Sequence, residues 1–278
     1  MSTDTKRGYI IPIGGAEKKS RKPVILKRLA DLATQNGSSY LVVIPTASGM
    51  EETGPRYVEL FEGLGVRKAV SIAPEERADC ERADYLRHVE NASMIFFTGG
   101  NQMRLSTVLG GTSLAKLIKK QNAKGVHVAG TSAGAAILSE HMIAGGESGP
   151  TPTRQGVDLA AGLGLTNSLI IDQHFRQRDR LGRLLTAVFY SPSQTGIGID
   201  ENTAAFINPA GEFEVVGSGA VTVVDPSNLQ YSSTDSVRPG KPLSLIGLTV
   251  HILTSGARYD VNTRKATPAP APATATMV

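Results

Sequence analysis

Along the first half of the chain, short apolar runs bounded by glycine, proline or small polar residues alternate with longer stretches whose apolar residues recur every three or four positions. The first pattern predicts buried strands and the second amphipathic helices. GYIIPIGG (residues 8–15) reads as a strand and a turn, and KPVILKRLADLAT (22–34) as a helix. SYLVVIPTAS (39–48) is a second strand, GPRYVELFEGLG (54–65) a helix closing on glycine, and VRKAVSIA (66–73) a third strand. CERADYLRHVENA (80–92) is helical, SMIFFTGGNQ (93–102) is strand then turn, and 103–125 are helical with a break at Gly110-Gly111. GVHVAGTSAGAAILSE (125–140) gives strand, tight turn and helix. Such alternation predicts an α/β fold, a mostly parallel sheet flanked by helices, whose ligand site lies at the carboxyl ends of the strands. The unusual turns Gly14-Gly15, Thr46 to Ser48, Gly99-Gly100-Asn101-Gln102 and Gly130 to Gly134 all fall at such ends.

From about residue 168 the pattern changes. SLIIDQHF, GIGIDENTAAFI, FEVVGSGAVTVVD and LTVHILTSGARYDV read as strands, with one helix at 178–191 among them. This half is expected to continue the same sheet with added antiparallel strands. Residues 1–265 read as a single α/β domain, whereas the Pro/Ala/Thr-rich segment 266–278 has no periodicity and is expected to be a disordered tail.

Composition narrows the function classes. With 40% hydrophobic and 19% charged residues among 278, the chain has the balance of a globular protein able to bury a large core. Its net charge of +4 comes from scattered Lys and Arg, which argues against a nucleic-acid partner. Cys80 is the only cysteine, so no intramolecular disulfide forms. The apolar patch near the amino terminus is about six residues long, too short for a secretory signal, and no stretch approaches a membrane span of about 20 residues. A cytoplasmic protein without a membrane partner is the expectation. Neither paired cysteines nor a His-x-x-x-His spacing is present, so neither a metal nor another cofactor is expected.

The sharpest chemical signal is Gly130-Thr131-Ser132-Ala133-Gly134 at the end of a strand. Ser132 reads blandly as a helix N-cap. It also fits the nucleophile elbow, in which small neighbours permit a strained turn that lifts the hydroxyl above the sheet. A nucleophile needs a base and a carboxylate to orient that base. His88 lies mid-helix, His127 and His251 within strands, and His141 after the elbow helix, whereas His174 sits at a strand exit, where catalytic side chains are displayed. Two carboxylates qualify as the third member. Glu201 lies at the exit of another strand, and Asp172, two residues before His174, points to the same side of its strand. If Glu201 serves, Asp172 is left for substrate.

GTSAGA with Ser132, FTGGNQ with Gln102, DQHFRQRDRLGRL with His174 and GIGIDENTA with Glu201 together closely resemble the cyanophycinase family, relatives of the aspartyl dipeptidases of the peptidase E type. The resemblance runs from about residue 8 to 265. It implies a serine-type exopeptidase that cleaves cyanophycin, an aspartate backbone bearing arginine on its side-chain carboxyls, and releases β-aspartyl-arginine dipeptides. It also implies a fold similar to class I glutamine amidotransferases (flavodoxin-like), a homodimer, and Ser132, His174 and Glu201 as the triad.

The residues extend this outline. Backbone N–H groups of Ala133 and of Gly100 are the candidate oxyanion hole. Arg178, Arg180 and Arg183, with Arg176 beside them, suit a substrate offering carboxylates. Asp172, with Asp179 and Glu147 as further acids, suits a substrate guanidinium, and Gln102 and Gln173 suit its amides. Three other readings fare worse. IGGAEKKS lacks the second glycine of a phosphate loop, an amidotransferase wants cysteine at the elbow, and a non-catalytic binding protein has no use for Ser, His and Glu together. The nearest rival is an α-aspartyl dipeptidase of the peptidase E type.

Overall fold

The computed structural model describes residues 7–37 and 39–271. Strands β1 (Ile10–Ile13), β2 (Tyr40–Ile44), β3 (Lys68–Ser71), β4 (Met94–Phe97) and β5 (His127–Thr131) pair in parallel, in the order β1-β5-β4-β2-β3. Helices α1 (Val24–Thr34), α2 (Thr53–Gly63), α3 (Ala83–Glu90), α4 (Gln102–Leu109), α5 (Ser113–Ala123) and the single turn α6 (Ala133–Ala136) connect or follow them. The break expected at Gly110-Gly111 separates α4 from α5, whose cap is the Thr112 side chain.

Both faces of β1, β2, β4 and β5 are buried, which explains their near-continuous apolar runs, whereas the edge strand β3 is exposed at Lys68 and Ser71. Leu41, Val43, Met94 and Phe96 pack with Leu26, Leu29 and Phe61 of α1 and α2. Val42, Ile44, Ile95 and Phe97, one residue out of phase, pack with Leu105, Ile118 and Ala135 on the opposite face.

The second half departs from the expectation of one extended sheet. After the antiparallel hairpin β6 (His141–Gly146) and β7 (Val157–Ala161) come β8 (Leu169–Gln173), helix α7 (Leu181–Tyr190) and β9 (Thr195–Ile199). Then follow β10 (Thr203–Ile207), β11 (Glu212–Gly217), β12 (Ala220–Asp225), the short pair β13 (Tyr231–Ser232) and β14 (Leu245–Ile246), β15 (Thr249–Thr254), β16 (Arg258–Asp260) and β17 (Lys265–Thr267). Strands β10, β11, β16 and β17 do extend the main sheet antiparallel from β1 to give nine strands, but β15-β12-β9-β8 form a separate four-stranded sheet. That sheet lays Ile171, Ile197, Val221 and Val223 on the α6 side of the main core, and α7 covers its other face through Leu184 and Val188. Runs buried on both faces carry no mark of which sheet they join, so the sequence pattern could not separate the two. The elbow helix is also shorter than expected, because the chain leaves α6 for the hairpin.

Strand β17 corrects the expected start of the tail, since Ala266 and Thr267 are held against β16. Residues 272–278 of that expected tail lie outside the described residues. Among the described residues no helix is long and apolar enough to cross a membrane.

Candidate active site

The C-terminal ends of β1, β2, β4 and β5 meet the end of β8 at the junction of the two sheets. Ser132 follows β5 directly, with φ 54° and ψ −117°, a conformation that costs a non-glycine residue on the order of 1–3 kcal/mol. Its N–H donates to the Ile13 carbonyl at 3.0 Å, which ties the strained turn to β1. The flanking glycines are required by contact. A Cβ on Gly130 would lie 2.0 Å from the Gly134 oxygen, and one on Gly134 would lie 2.4 Å from the Phe97 oxygen. Ser132 is thus an elbow residue, and its side chain caps nothing in α6.

His174 comes one residue after β8 and adopts φ 48°, so its side chain leaves the alternation of the strand. Its N–H donates to the Gly14 carbonyl at 2.7 Å, and the ring lies where a Cβ on Gly15 would be 2.4 Å from Cε1. Glu201 sits on the Asp200–Asn202 link that passes from β9 in the small sheet to β10 in the large one. The three side chains form one line. His174 Nε2 is 3.0 Å from Ser132 Oγ, and His174 Nδ1 is 2.6 Å from Glu201 Oε1. A carboxylate only accepts, so Nδ1 carries the proton and Nε2 is left to accept from the Ser132 hydroxyl. Burial holds the imidazole pKa below its usual value; the Glu201 hydrogen bond opposes this and the Arg178 charge adds to it.

Comparison with known proteins decides the family. The sequence profile of peptidase family S51 matches residues 10–213. The chain belongs to peptidase family S51. Two curated relatives are cyanophycinases. That of Trichormus variabilis is 41% identical over 262 residues, which is 94% of this chain and 88% of the relative. That of Geminocystis herdmanii is 40% identical over 262 residues, 93% of this chain and 96% of the relative. Solved structures share the fold. A peptidase from an acI-B1 Actinobacterium superposes with TM-score 0.68 at 22% identity, covering 91% of this chain and 97% of its own. A putative peptidase E protein from Listeria monocytogenes gives 0.50 at 18% identity, covering 76% and 98%.

Of the other sequence-derived side chains in this S51 chain, Gln173 lies beside the nucleophile, its Oε1 3.4 Å from Ser132 Oγ. Gln102 opens α4 and donates through Nε2 to the Ala144 carbonyl at 2.7 Å, so half of its amide is engaged in holding β6. Ala133 opens α6, where a first-turn N–H has no partner within the helix. Gly99 packs against Ser132, since a Cβ there would be 3.2 Å from the serine Cβ, and Gly100 beside it has φ 143°.

Asp172, Arg180 and Arg183, expected to meet the substrate, bond to one another in the structure. Asp172 is 1% exposed and accepts from Arg183 Nε at 2.7 Å and from Arg180 Nη1 at 3.5 Å. Arg180, whose Nη1 also donates to the Gln173 carbonyl, has its pKa lowered to about 10, chiefly by burial. These three form an internal ion cluster beneath the His174 turn, so the Asp172 carboxylate is already spoken for. Arg178 alone of the three predicted arginines is exposed. Glu147 accepts from the Thr153 hydroxyl at 3.0 Å, and Asp179 occupies a left-handed turn before α7.

One buried acid escaped the sequence reading. Glu17, 4% exposed, accepts from Thr131 Oγ1 at 2.5 Å and from the Tyr57 hydroxyl at 2.5 Å. It also pairs with Lys19 Nζ at 3.2 Å. Burial, with Glu17 second, raises the Tyr57 pKa and keeps that phenol a donor. The only hint was IGGAEKKS, whose glycines suggested a phosphate loop and whose acid is 115 residues from the serine it approaches in space. Among the described residues no His/Cys/Asp/Glu group of three has metal-holding geometry.

Proposed function

We propose that this S51 peptidase is a serine exopeptidase that hydrolyses cyanophycin to β-aspartyl-arginine. One observation carries the reading: the continuous Ser132–His174–Glu201 line, with spacings of 3.0 and 2.6 Å. Ser132 Oγ attacks the backbone carbonyl before the terminal unit as His174 Nε2 takes its proton, a transfer worth roughly 10²- to 10⁴-fold in rate. Glu201 holds the tautomer and stabilises the imidazolium. The Ala133 and Gly100 N–H groups are assigned to the oxyanion, where loss of one donor costs ~3–4 kcal/mol. His174 then protonates the leaving amine, and water releases the acyl group by the reverse path.

The exo mode requires recognition of a chain end. Arg178, exposed and close enough to lower the His174 pKa, is assigned to the carboxylates of the leaving dipeptide. Gln173 is assigned to its amide, and the Asp172–Arg180–Arg183 cluster to holding both residues in place. The five parallel strands with an elbow after β5 support the class I glutamine amidotransferase-like description of the sheet. Rapid quenching during turnover, followed by mass analysis of the intact enzyme, tests the chemistry. An adduct with the mass of the substrate chain shortened by its terminal unit, mapping to Ser132, is expected, and turnover without an adduct in burst kinetics argues for direct water attack.

A further inference from the structure

The turn that carries His174 and the link that carries Glu201 leave the small sheet together. Strands β8 and β9 are parallel and last pair at Gln173 and Ile199, and one further backbone bond runs from the Phe175 N–H to the Ile199 carbonyl at 3.1 Å. Beyond it, side chains join the two segments. Asp200, 4% exposed, accepts from the Arg176 N–H through Oδ1 at 3.2 Å and from the Ala220 N–H through Oδ2 at 3.1 Å. Gln177 returns the contact, its Oε1 accepting from the Glu201 N–H at 3.0 Å. Each segment thus satisfies a backbone donor of the other, which is the reciprocity of a capping box spread over two parts of the chain. Arg176 opens the single turn Arg176–Arg178, so its N–H has no partner inside that turn. The Arg176 guanidinium also lies 3.4 Å from Asp200 Oδ2, but its side chain is 76% exposed and solvent screens that pair.

We propose that Asp200 and Gln177 form a clasp that sets the approach of Glu201 to His174, which makes both of them positioning residues of the triad. The inference rests on the serine-peptidase reading of Ser132, His174 and Glu201 and deepens it. The Glu201 side chain is 36% exposed and lies 2.6 Å from His174 Nδ1, so its aim depends on where its backbone is held. On one side Asn202, at φ 50°, donates its N–H to the Gly15 carbonyl at 2.8 Å. On the other side stands Asp200, joined to the His174 turn and, through Ala220, to the start of β12. His174 passes from neutral ring to imidazolium and back in each half of the reaction, and Glu201 must stay at Nδ1 throughout. A misplacement of about 1 Å that originates away from the reacting atoms can cost ~10²-fold in rate. Asp200 touches neither His174 nor the substrate path and acts through the two backbones it joins.

The test reads the His174–Glu201 hydrogen bond itself beside the rate. Asp200→Asn leaves one acceptor where two backbone donors point, so its amide nitrogen must face one of them. Gln177→Met, at an exposed position that keeps the fold, removes the other contact. In both variants the far-downfield proton resonance of His174 Nδ1–H, recorded on protein with isotopically labelled histidine, is expected to move upfield. On a soluble chain of three β-aspartyl-arginine units, kcat is expected to fall about 10- to 100-fold in Asp200→Asn and severalfold in Gln177→Met, with KM unchanged. Gln177→Glu, which keeps an acceptor at the same reach, is expected to restore the resonance and most of kcat. The acid limb of the rate adds a sign. The charged groups facing His174 are Glu201, whose bond raises its pKa, and Arg178 and Arg180, which lower it. Loosening Glu201 therefore moves the limb to lower pH, whereas a merely less stable protein keeps it in place. A resonance and limb unchanged in both variants, or a rate loss that Gln177→Glu does not recover, overturns the inference. Ser132→Ala keeps the two readings apart. If it still hydrolyses the chain while the clasp variants move the resonance, the clasp stands and the serine reading fails; if it is inactive while they leave the resonance untouched, the reverse holds.

Discussion

Replacing Asp172 by asparagine changes one buried charge and almost nothing in shape. The wild-type carboxylate lies 1% exposed between Arg183 and Arg180, themselves 6% and 9% exposed, and receives Arg183 Nε at 2.7 Å. In Asp172→Asn two guanidinium groups remain buried without a counter-charge, and breaking a buried pair from one side costs ~3–5 kcal/mol. Against a typical stability of about 5–15 kcal/mol, this is a loss that equilibrium urea unfolding resolves easily. Arg178→Gln, at an exposed position, is expected to stay within about 0.5 kcal/mol of wild type. Combining Asp172→Asn with Arg183→Met is expected to cost less than the sum of the single changes, because the second removes the orphaned charge. Activity falls with Asp172→Asn as well, since Asp172 immediately precedes Gln173 and His174. An Asp172→Asn protein as stable as wild type but inactive would refute the structural assignment and return Asp172 to the substrate, as the sequence alone suggested.

Three further outcomes follow from the geometry. His174 must be neutral to act as base, and burial lowers its pKa below the usual 6.5, so the acid limb of kcat/KM is expected below that pH. Removing the Arg178 charge in Arg178→Gln moves the limb upward, and a limb that stays put removes Arg178 from the field at His174. Gly130→Ala places a methyl 2.0 Å from the Gly134 oxygen, an overpacking expected to cost on the order of 1–3 kcal/mol or more and checked by thermal unfolding; a neutral change would mean that the elbow is not tight. Exhaustive chelation is expected to leave the rate unchanged, and a loss restored by zinc would show that the triad does not work unaided.

The parts of the site that belong to local motifs were legible in the sequence. Ser132 announced itself through Gly130 and Gly134 and His174 through its position at a strand exit, whereas strand position left Glu201 and Asp172 both open and the family resemblance pointed to Glu201. What failed were inferences that assumed regularity past the end of an element. Asp172 and His174 were placed on one side by the period of a strand, but β8 ends at Gln173 and His174 turns to φ 48°, so one faces the interior cluster and the other the nucleophile. The arginines at 180 and 183 were read only as groups for substrate carboxylates, because charge spacing does not reveal an acid buried beneath them. The split into two sheets was hidden for a related reason, since Ile170 and Ile171 are equally buried whichever neighbours they meet. Glu17 was invisible because its partners Tyr57 and Thr131 come from α2 and β5, brought together only by the order of the parallel strands.

The central claim is that Ser132 removes one unit at a time from an aspartate chain bearing β-linked arginine. Mass analysis of the soluble products from cyanophycin, with wild type and Ser132→Ala run side by side, addresses it most directly. β-Aspartyl-arginine as the main product from the first reaction, with none from a folded Ser132→Ala protein, is the expected result. Free arginine, a ladder of internal fragments, activity confined to soluble aspartyl dipeptides, or product from the serine variant would contradict the account.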